Sequence, residues 1–184
     1  DVDDKIIDQA KKEGIPIKGV RNAFSGASTL SQRTVERWEK HTGGRLVEGY
    51  GLTETSPIIV GNPMSDHRRQ GYVGIPFPDT IVRIANPDNL DETMPDGSEG
   101  EVLVKGPQVF KGYLNQEEAT KNSFHGEWYR TGDVGVMEED GFIRLVARIK
   151  EVIITGGFNV YPAEVEEVLA EHPDIEDSAV VGIP

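Results

Sequence analysis

The chain has 184 residues, no cysteine, and 19 basic against 32 acidic side chains, a formal net charge of −13. Without thiols it has no disulfides, thiolate catalysis or Cys-ligated zinc, which suits a reducing compartment such as the cytoplasm, and its acidity argues against a nucleic-acid footprint. No run of 18 apolar residues occurs, so no transmembrane helix is expected, and a chain of this length buries roughly 70% of its unfolded surface without a metal or disulfide staple. The opening "DVDDKIIDQAKKEG" lacks both a signal-peptide pattern and an initiator Met, and the chain reads as a piece of something larger.

Val2, Ile6 and Ala10 recur four apart with Ile7 alongside, which predicts the end of an amphipathic helix over residues 1–13, stopped by Gly14 and Pro16. "IKGVRNAFSGAS" is expected to form a buried strand running into a Ser/Gly turn. Ser31 is suited to cap a second helix whose Leu30, Val35 and Trp38 share a face and which ends near Gly43-Gly44. "RLVEGY" predicts a short strand that delivers the loop "EGYGLTETSP", residues 48–57. From about residue 58 to 147 short β segments ("TIVRIAN", "GEVLVKG", "DVGVMEE", "GFIRLVA") alternate with turn signals such as "PDGSEGE" and "EDG". That texture predicts a small barrel or sandwich. After Lys150 come an Ile-rich strand, a "GGFNVYP" turn, and a helix opened by Pro162 with Val165, Val168 and Leu169 inward; "DSAVVGIP" reads as another strand.

Four short stretches could carry chemistry, each with an ordinary structural alternative. In "FSGAST", residues 24–29, small side chains let a flat ligand approach the backbone, and the same residues would serve a plain strand-to-helix turn. In "EGYGLTETSP", Tyr50 offers a stacking face, Thr53 a hydroxyl and Glu54 a hard oxygen of the kind Mg²⁺ prefers; the alternative is a turn held by a Thr hydrogen bond. In "GEWYRTGDVG", Asp133 can accept from both hydroxyls of a ribose, or simply cap a turn. In "ARIKEVIITGGFNVYP", Arg148 can donate to a ribose or phosphate, or stand as a solvated strand-end cation. His41, His67, His125 and His172 have no spacing that suggests a metal site or triad, and Ser25, Ser28 and Ser56 lack a nucleophile-elbow context.

The series "SGAS", "EGYGLTETSP", "GYVGIP", "GEVLVKGPQVFKGYLN", "WYRTGDVG", "GFIRLVARIKEVIITGGFNVYPAEVEE" and "HPDIEDSAVVGIP" runs over nearly the whole chain. In this order and spacing it resembles the adenylate-forming family of acyl-CoA synthetases, firefly luciferases and peptide-synthetase adenylation domains. "VFKGYLNQEEAT" and "RIKEVIITGGFNVYPAEVE" are most similar to bacterial fatty-acyl-CoA synthetases. The resemblance implies a mixed α+β fold in three parts. Residues 1–57 would end an α/β subdomain of a large domain, 58–149 would form a distorted antiparallel β-barrel, and 150–184 would hold a hinge and the start of a small α+β domain.

The same resemblance implies roles. Ser25, Gly26, Ala27 and Ser28 would line the adenine side of an ATP pocket, and Tyr50 would stack on adenine. Gly49 and Gly51 would leave room for nucleotide and acyl group, Thr53 would reach the α-phosphate, and Glu54 would bind magnesium. Asp133 would take the ribose hydroxyls with help from Arg148, and Lys150 would sit at the hinge. Gly156, Gly157 and Phe158 would line the pantetheine tunnel for coenzyme A. The implied reaction joins a carboxylic acid, expected to be a fatty acid, to the CoA thiol through an acyl-adenylate, with peripheral membrane contact open to the whole protein. The family's phosphate loop and catalytic lysine would lie before residue 1 and after Pro184, so this segment alone is expected to be inactive. Ser28-Thr29 stands where the family often has Ala-Pro, and Ala147 where it usually has Gly or Asp. Other readings are an aryl-CoA ligase, a luciferase-like oxygenase, an amino-acid adenylation domain, or a non-catalytic binding domain on the same fold.

Overall fold

The computed structural model describes residues 2–26, 30–170, 172, 174–175 and 178–183. Helix α1 (Val2–Glu13) packs on α2 (Gln32–Thr42). Its buried stripe runs through Ile7 and Ala10, three apart, while Ile6 is 44% exposed, which corrects the expected inward Ile6. Ser31 caps α2 by accepting from the Thr34 N–H at 3.1 Å, and Gly43 ends it in the left-handed region at φ 76°. Ile7, Leu30, Val35, Trp38 and Leu46 form the core between these helices and the first sheet.

That sheet has the order β1 (Asn22–Ser25), β2 (Arg45–Gly51), β3 (Ile58–Gly61), β4 (Ile75–Pro76). β1 runs parallel to β2, with α2 as the crossover, and the other pairs are antiparallel. β1 is half-exposed rather than the buried strand expected: it lies at the end of the sheet order, and Phe24, whose ring lies over Gly49, is still 38% exposed.

The second sheet is antiparallel and barrel-like. Its path is β10 (Ile143–Arg148), β9 (Trp128–Met137), β7 (Glu99–Lys105), β5 (Ile81–Asn86), β6 (Asn89–Thr93), with β8 (Phe124–His125) paired to β9. Alternation of inward Val82, Ile84, Val102, Val104 and Tyr129 builds a core that also takes Tyr50, Ile59 and Val60 from the first sheet. The sheets are stitched where Val73 N–H donates to the Ile143 carbonyl at 2.9 Å and Ile143 N–H to the Gly74 carbonyl at 2.7 Å. Gly74 is required there: its φ is 110°, and a Cβ would lie 2.1 Å from the Gly61 carbonyl. This stitch brings the C-terminal end of β2 against β9 and β10.

Past β10 the expected "GGFNVYP" turn is a hairpin. β11 (Ile153–Thr155) pairs with β12 (Phe158–Val160), and Gly156 and Gly157 form the two-residue loop, both with positive φ. Helix α4 (Pro162–Ala170) follows. Val165 and Val168 are exposed, not inward, and the described residues 178–183 form no strand. An extended stretch becomes a strand only when a neighbour takes up its backbone N–H and C=O groups. Ile154, Phe158, Val181 and Ile183 are each more than 70% exposed.

Candidate functional site

Strands β2, β9 and β10 meet at a cavity of about 270 Å³ whose lining includes Gly49, Tyr50, Asp133, Arg148, Glu151 and Ala163. Gly51 also lines it. Each strand delivers its side chain for a local reason. On β9, Thr131 donates its hydroxyl to the Val102 carbonyl and accepts the Asp133 N–H, while Gly132 adopts φ 74°, so the strand bends and turns Asp133 inward. On β10, a bulge between Leu145 and Ala147 resets the register so that Arg148 stands opposite Asp133. On β2, Gly49 and Gly51 permit close packing: a Cβ would meet the Phe24 ring at 1.9 Å in one case and the Pro57 carbonyl at 1.8 Å in the other. The space these glycines make is thus filled on those sides by the protein itself.

Tyr50 is 8% exposed and donates its hydroxyl to Asp133 Oδ2 at 2.5 Å. Arg148 Nε lies 3.5 Å from Asp133 Oδ1, with its own side chain largely in solvent. Burial pushes the Asp133 carboxyl above its ordinary value, opposed by the Tyr50 hydroxyl and the Arg148 charge. Burial, then the Asp133 charge, holds the Tyr50 phenol well above the usual phenol range, so it stays a donor. A carboxylate with one oxygen tied to a phenol and the other facing a cation beside open volume is an acceptor suited to a diol or to another polar, ring-bearing ligand.

The loop tip sits apart from this cavity. Thr53, Glu54 and Thr55 form a single 3₁₀ turn. Thr55 is fully buried, and its hydroxyl accepts the Leu52 N–H at 2.9 Å and lies 3.0 Å from the Pro57 carbonyl. The structural Thr hydrogen bond therefore belongs to Thr55, which the sequence did not single out, and Thr53 is exposed. Glu54 accepts the Tyr113 hydroxyl at Oε1, 2.7 Å away, and its carbonyl accepts the Phe110 N–H at 2.8 Å. Among the described residues no hydrogen bond is made to Oε2, which leaves that oxygen for a further ligand. Among the described residues no group of three His, Asp or Glu could hold a metal. Glu54 therefore fits a hard cation only as a single protein ligand, with phosphate and water oxygens completing the shell.

Ser25 pairs in register with Glu48, and a Cβ on Gly26 would lie 3.5 Å from the Gly49 carbonyl, so this turn borders β2; Ala27 and Ser28 lie outside the described residues. Lys150 is exposed on a 3₁₀ turn, Ile149–Glu151, that leads out of β10. Gly156, Gly157 and Phe158 are at the exposed tip of the β11–β12 hairpin and do not line the cavity.

Two buried acids escaped sequence reasoning. Glu48, 8% exposed, accepts the Leu30 N–H at 3.0 Å, and burial raises its pKa. Glu101, 1% exposed, takes a two-pronged contact from Arg130, at 3.0 and 2.8 Å. An acid next to an apolar strand run, Val102 to Val104, was the available signal for Glu101.

Comparison with known proteins gives this arrangement a context. A family model described as AMP-binding enzyme matches residues 3–114. A long-chain-fatty-acid–CoA ligase from Yersinia pestis is 44% identical over 165 residues, covering 90% of this chain and 29% of that protein. The crystal structure of ATP-bound MatB from Rhodopseudomonas palustris superposes with a TM-score of 0.80 at 39% identity, covering 88% of this chain and 32% of that one. O-succinylbenzoate coenzyme A synthetase from Bacillus subtilis, in complex with ATP and magnesium ion, gives a TM-score of 0.80 at 28% identity, over 98% and 42% of the two chains. The chain thus spans under a third of the length of the ligase relative it matches. A match over more than half its residues, together with the shared fold, makes this chain a member of the AMP-binding, adenylate-forming enzyme family.

Proposed function

We propose that this segment belongs to an ATP-dependent acid–thiol ligase that activates a fatty acid as its acyl-adenylate and passes the acyl group to coenzyme A. The observation that carries the reading is the convergence of Tyr50, Asp133 and Arg148 on one cavity in a chain of this family. Asp133 takes the ribose hydroxyls, Arg148 assists from the rim, and Tyr50 serves both as the wall against which adenine lies and as the donor that orients Asp133. Ser25 and Gly26 border the adenine from the β1 side, and Ala27 and Ser28 are proposed as further adenine contacts. Thr53 reaches the α-phosphate. Glu54 would hold magnesium, which when bound neutralises phosphate charge.

The chemistry explains the parts. A carboxylate's oxygen is a poor leaving group, so the acid attacks the α-phosphorus of ATP and expels pyrophosphate, which places that oxygen on AMP. The thiol sulfur then forms its bond to the acyl carbon as the C–O bond to AMP breaks. Side chains contribute orientation and charge rather than covalent intermediates. Two half-reactions in one site call for a moving element, with Lys150 at the hinge and Gly156, Gly157 and Phe158 at the thiol's approach. Consumption of ATP and CoA fits the cytoplasm. The segment, at under a third of its relative's length, is proposed not to turn over by itself.

A second reading keeps the site and changes the acid, supported by the likeness to a synthetase that acts on an aromatic acid. Acid-dependent ATP–pyrophosphate exchange by the full-length protein separates the two. Long-chain fatty acids are expected to give the highest kcat/KM; preference for aryl or amino acids would transfer the proposal to those substrates, and no exchange with any acid would favour a non-catalytic binding domain.

A further inference from the structure

The loop after β7 makes two bonds to one residue. Phe110 N–H donates to the Glu54 carbonyl at 2.8 Å, and the Tyr113 hydroxyl donates to Glu54 Oε1 at 2.7 Å. The loop is itself braced. Tyr113 N–H donates to Thr120 Oγ1 at 2.8 Å, and Thr120 belongs to helix α3 (Glu117–Asn122). Gly112 at φ 144° passes so close to Thr120 that a Cβ would lie 2.5 Å from its methyl group. The Tyr113 ring meets Phe110 edge-on with centroids 4.8 Å apart, and Phe110 stacks on Phe124 at 5.8 Å. A free glutamate on a one-turn 3₁₀ helix samples several rotamers, and ordering such a side chain costs conformational entropy. Here one carboxylate oxygen is held from a rigid aromatic platform and the other is left open.

We propose that Tyr113 is a positioning residue that pre-orients the Glu54 carboxylate for the divalent cation accompanying ATP. The inference rests on the reading of Glu54 as the cation's ligand. Partners of metal-binding carboxylates change metal affinity by about 10–100-fold when lost, because the ligand must then be ordered at the moment of binding. The effect of Tyr113 runs through Glu54, the carboxylate its hydroxyl holds.

The test measures Mn²⁺ binding to the full-length protein saturated with a non-hydrolysable ATP analogue, by titration calorimetry or by the spin-resonance signal of free Mn²⁺. Tyr113→Phe keeps the ring and removes the donor, and is expected to weaken Mn²⁺ binding roughly tenfold. It is also expected to raise the Mg²⁺ concentration for half-maximal pyrophosphate exchange while kcat at saturating Mg²⁺ is retained. In a Glu54→Gln background the same substitution should cost nothing further, since the two act as one unit. Affinity within twofold of wild type in Tyr113→Phe, with Glu54→Gln impaired, overturns the positioning role and leaves Glu54 as the ligand. Equal weakening in both backgrounds also overturns it, by assigning Tyr113 to the fold. Unchanged affinity in Glu54→Gln removes the ligand reading and this inference with it. Should Tyr113→Phe fail to fold, Thr120→Val, which releases the loop's anchor, is expected to weaken Mn²⁺ binding, and wild-type affinity in that variant overturns the proposal equally.

Discussion

Asp133 loses most of its hydration and regains two partners, a buried phenol and a rim guanidinium. Burial is the largest influence and raises its pKa above the ordinary 3.8, so the folded chain holds this proton to higher pH than the unfolded chain does. Stability is therefore lost as pH rises from 3.8 through the raised native value, and at neutral pH the buried charge is a net burden. Asp133→Asn removes the charge and keeps an oxygen for the Tyr50 hydroxyl. Its urea midpoint at pH 7 is expected to lie at or above wild type, and the difference should vanish below pH 3.8. A midpoint well below wild type at pH 7 would mean that the contacts outweigh the desolvation. At this scale Tyr50, Asp133 and Arg148 each had an ordinary structural alternative, and the sequence offered them as candidates only through the order of their motifs. It was silent on Tyr113, whose partner Glu54 is 59 positions away and is met only through the folded loop.

Elements differ in how far their own residues determine them. Helix α2 was readable to within a residue or two, because Ser31, Gly43 and the apolar stripe are local signals. Strands β5, β7, β9 and β10 were readable by alternation between turn residues. β1 and β11 were readable as strands and Gly156-Gly157 as a turn, but the half-exposure of β1, the pairing of β12 and the lack of a strand in the described residues 178–183 were not, since burial and strand pairing there depend on which neighbours arrive. The inward face of α1 was misread by one position because Ile6 and Ile7 are equally apolar and only packing on α2 chooses Ile7. Between β7 and β9, Glu101 and Arg130 form a partly buried ion pair, with the acid 1% and the Arg side chain 38% exposed. Arg130→Met leaves a carboxylate buried and is expected to destabilise by about 3 kcal/mol, the low end for a broken buried pair because Arg130 reaches water. Glu101→Leu with Arg130→Met should recover most of that loss in urea unfolding, whereas an equally unstable double variant would show that the pair's packing, not its charge, matters.

Across the whole molecule, the proposed site depends on contacts between the two sheets rather than within either. Tyr50 comes from the mixed sheet, Asp133 and Arg148 from the antiparallel one, and the Val73–Gly74 stitch to Ile143 sets their spacing. The three were legible as candidates because their motifs occur in a family order, but no local pattern could have shown that the Tyr50 hydroxyl reaches Asp133. The central claim is that this junction is the nucleotide site. Its most direct test is the KM for ATP in acid-dependent pyrophosphate exchange by the full-length protein and its Asp133→Ala variant. The account predicts a rise of roughly tenfold or more, the size of a lost hydrogen-bonded contact to a charged group, with kcat much less affected. A variant with the wild-type KM for ATP would contradict it and leave Asp133 as a residue that only shapes the bend in β9.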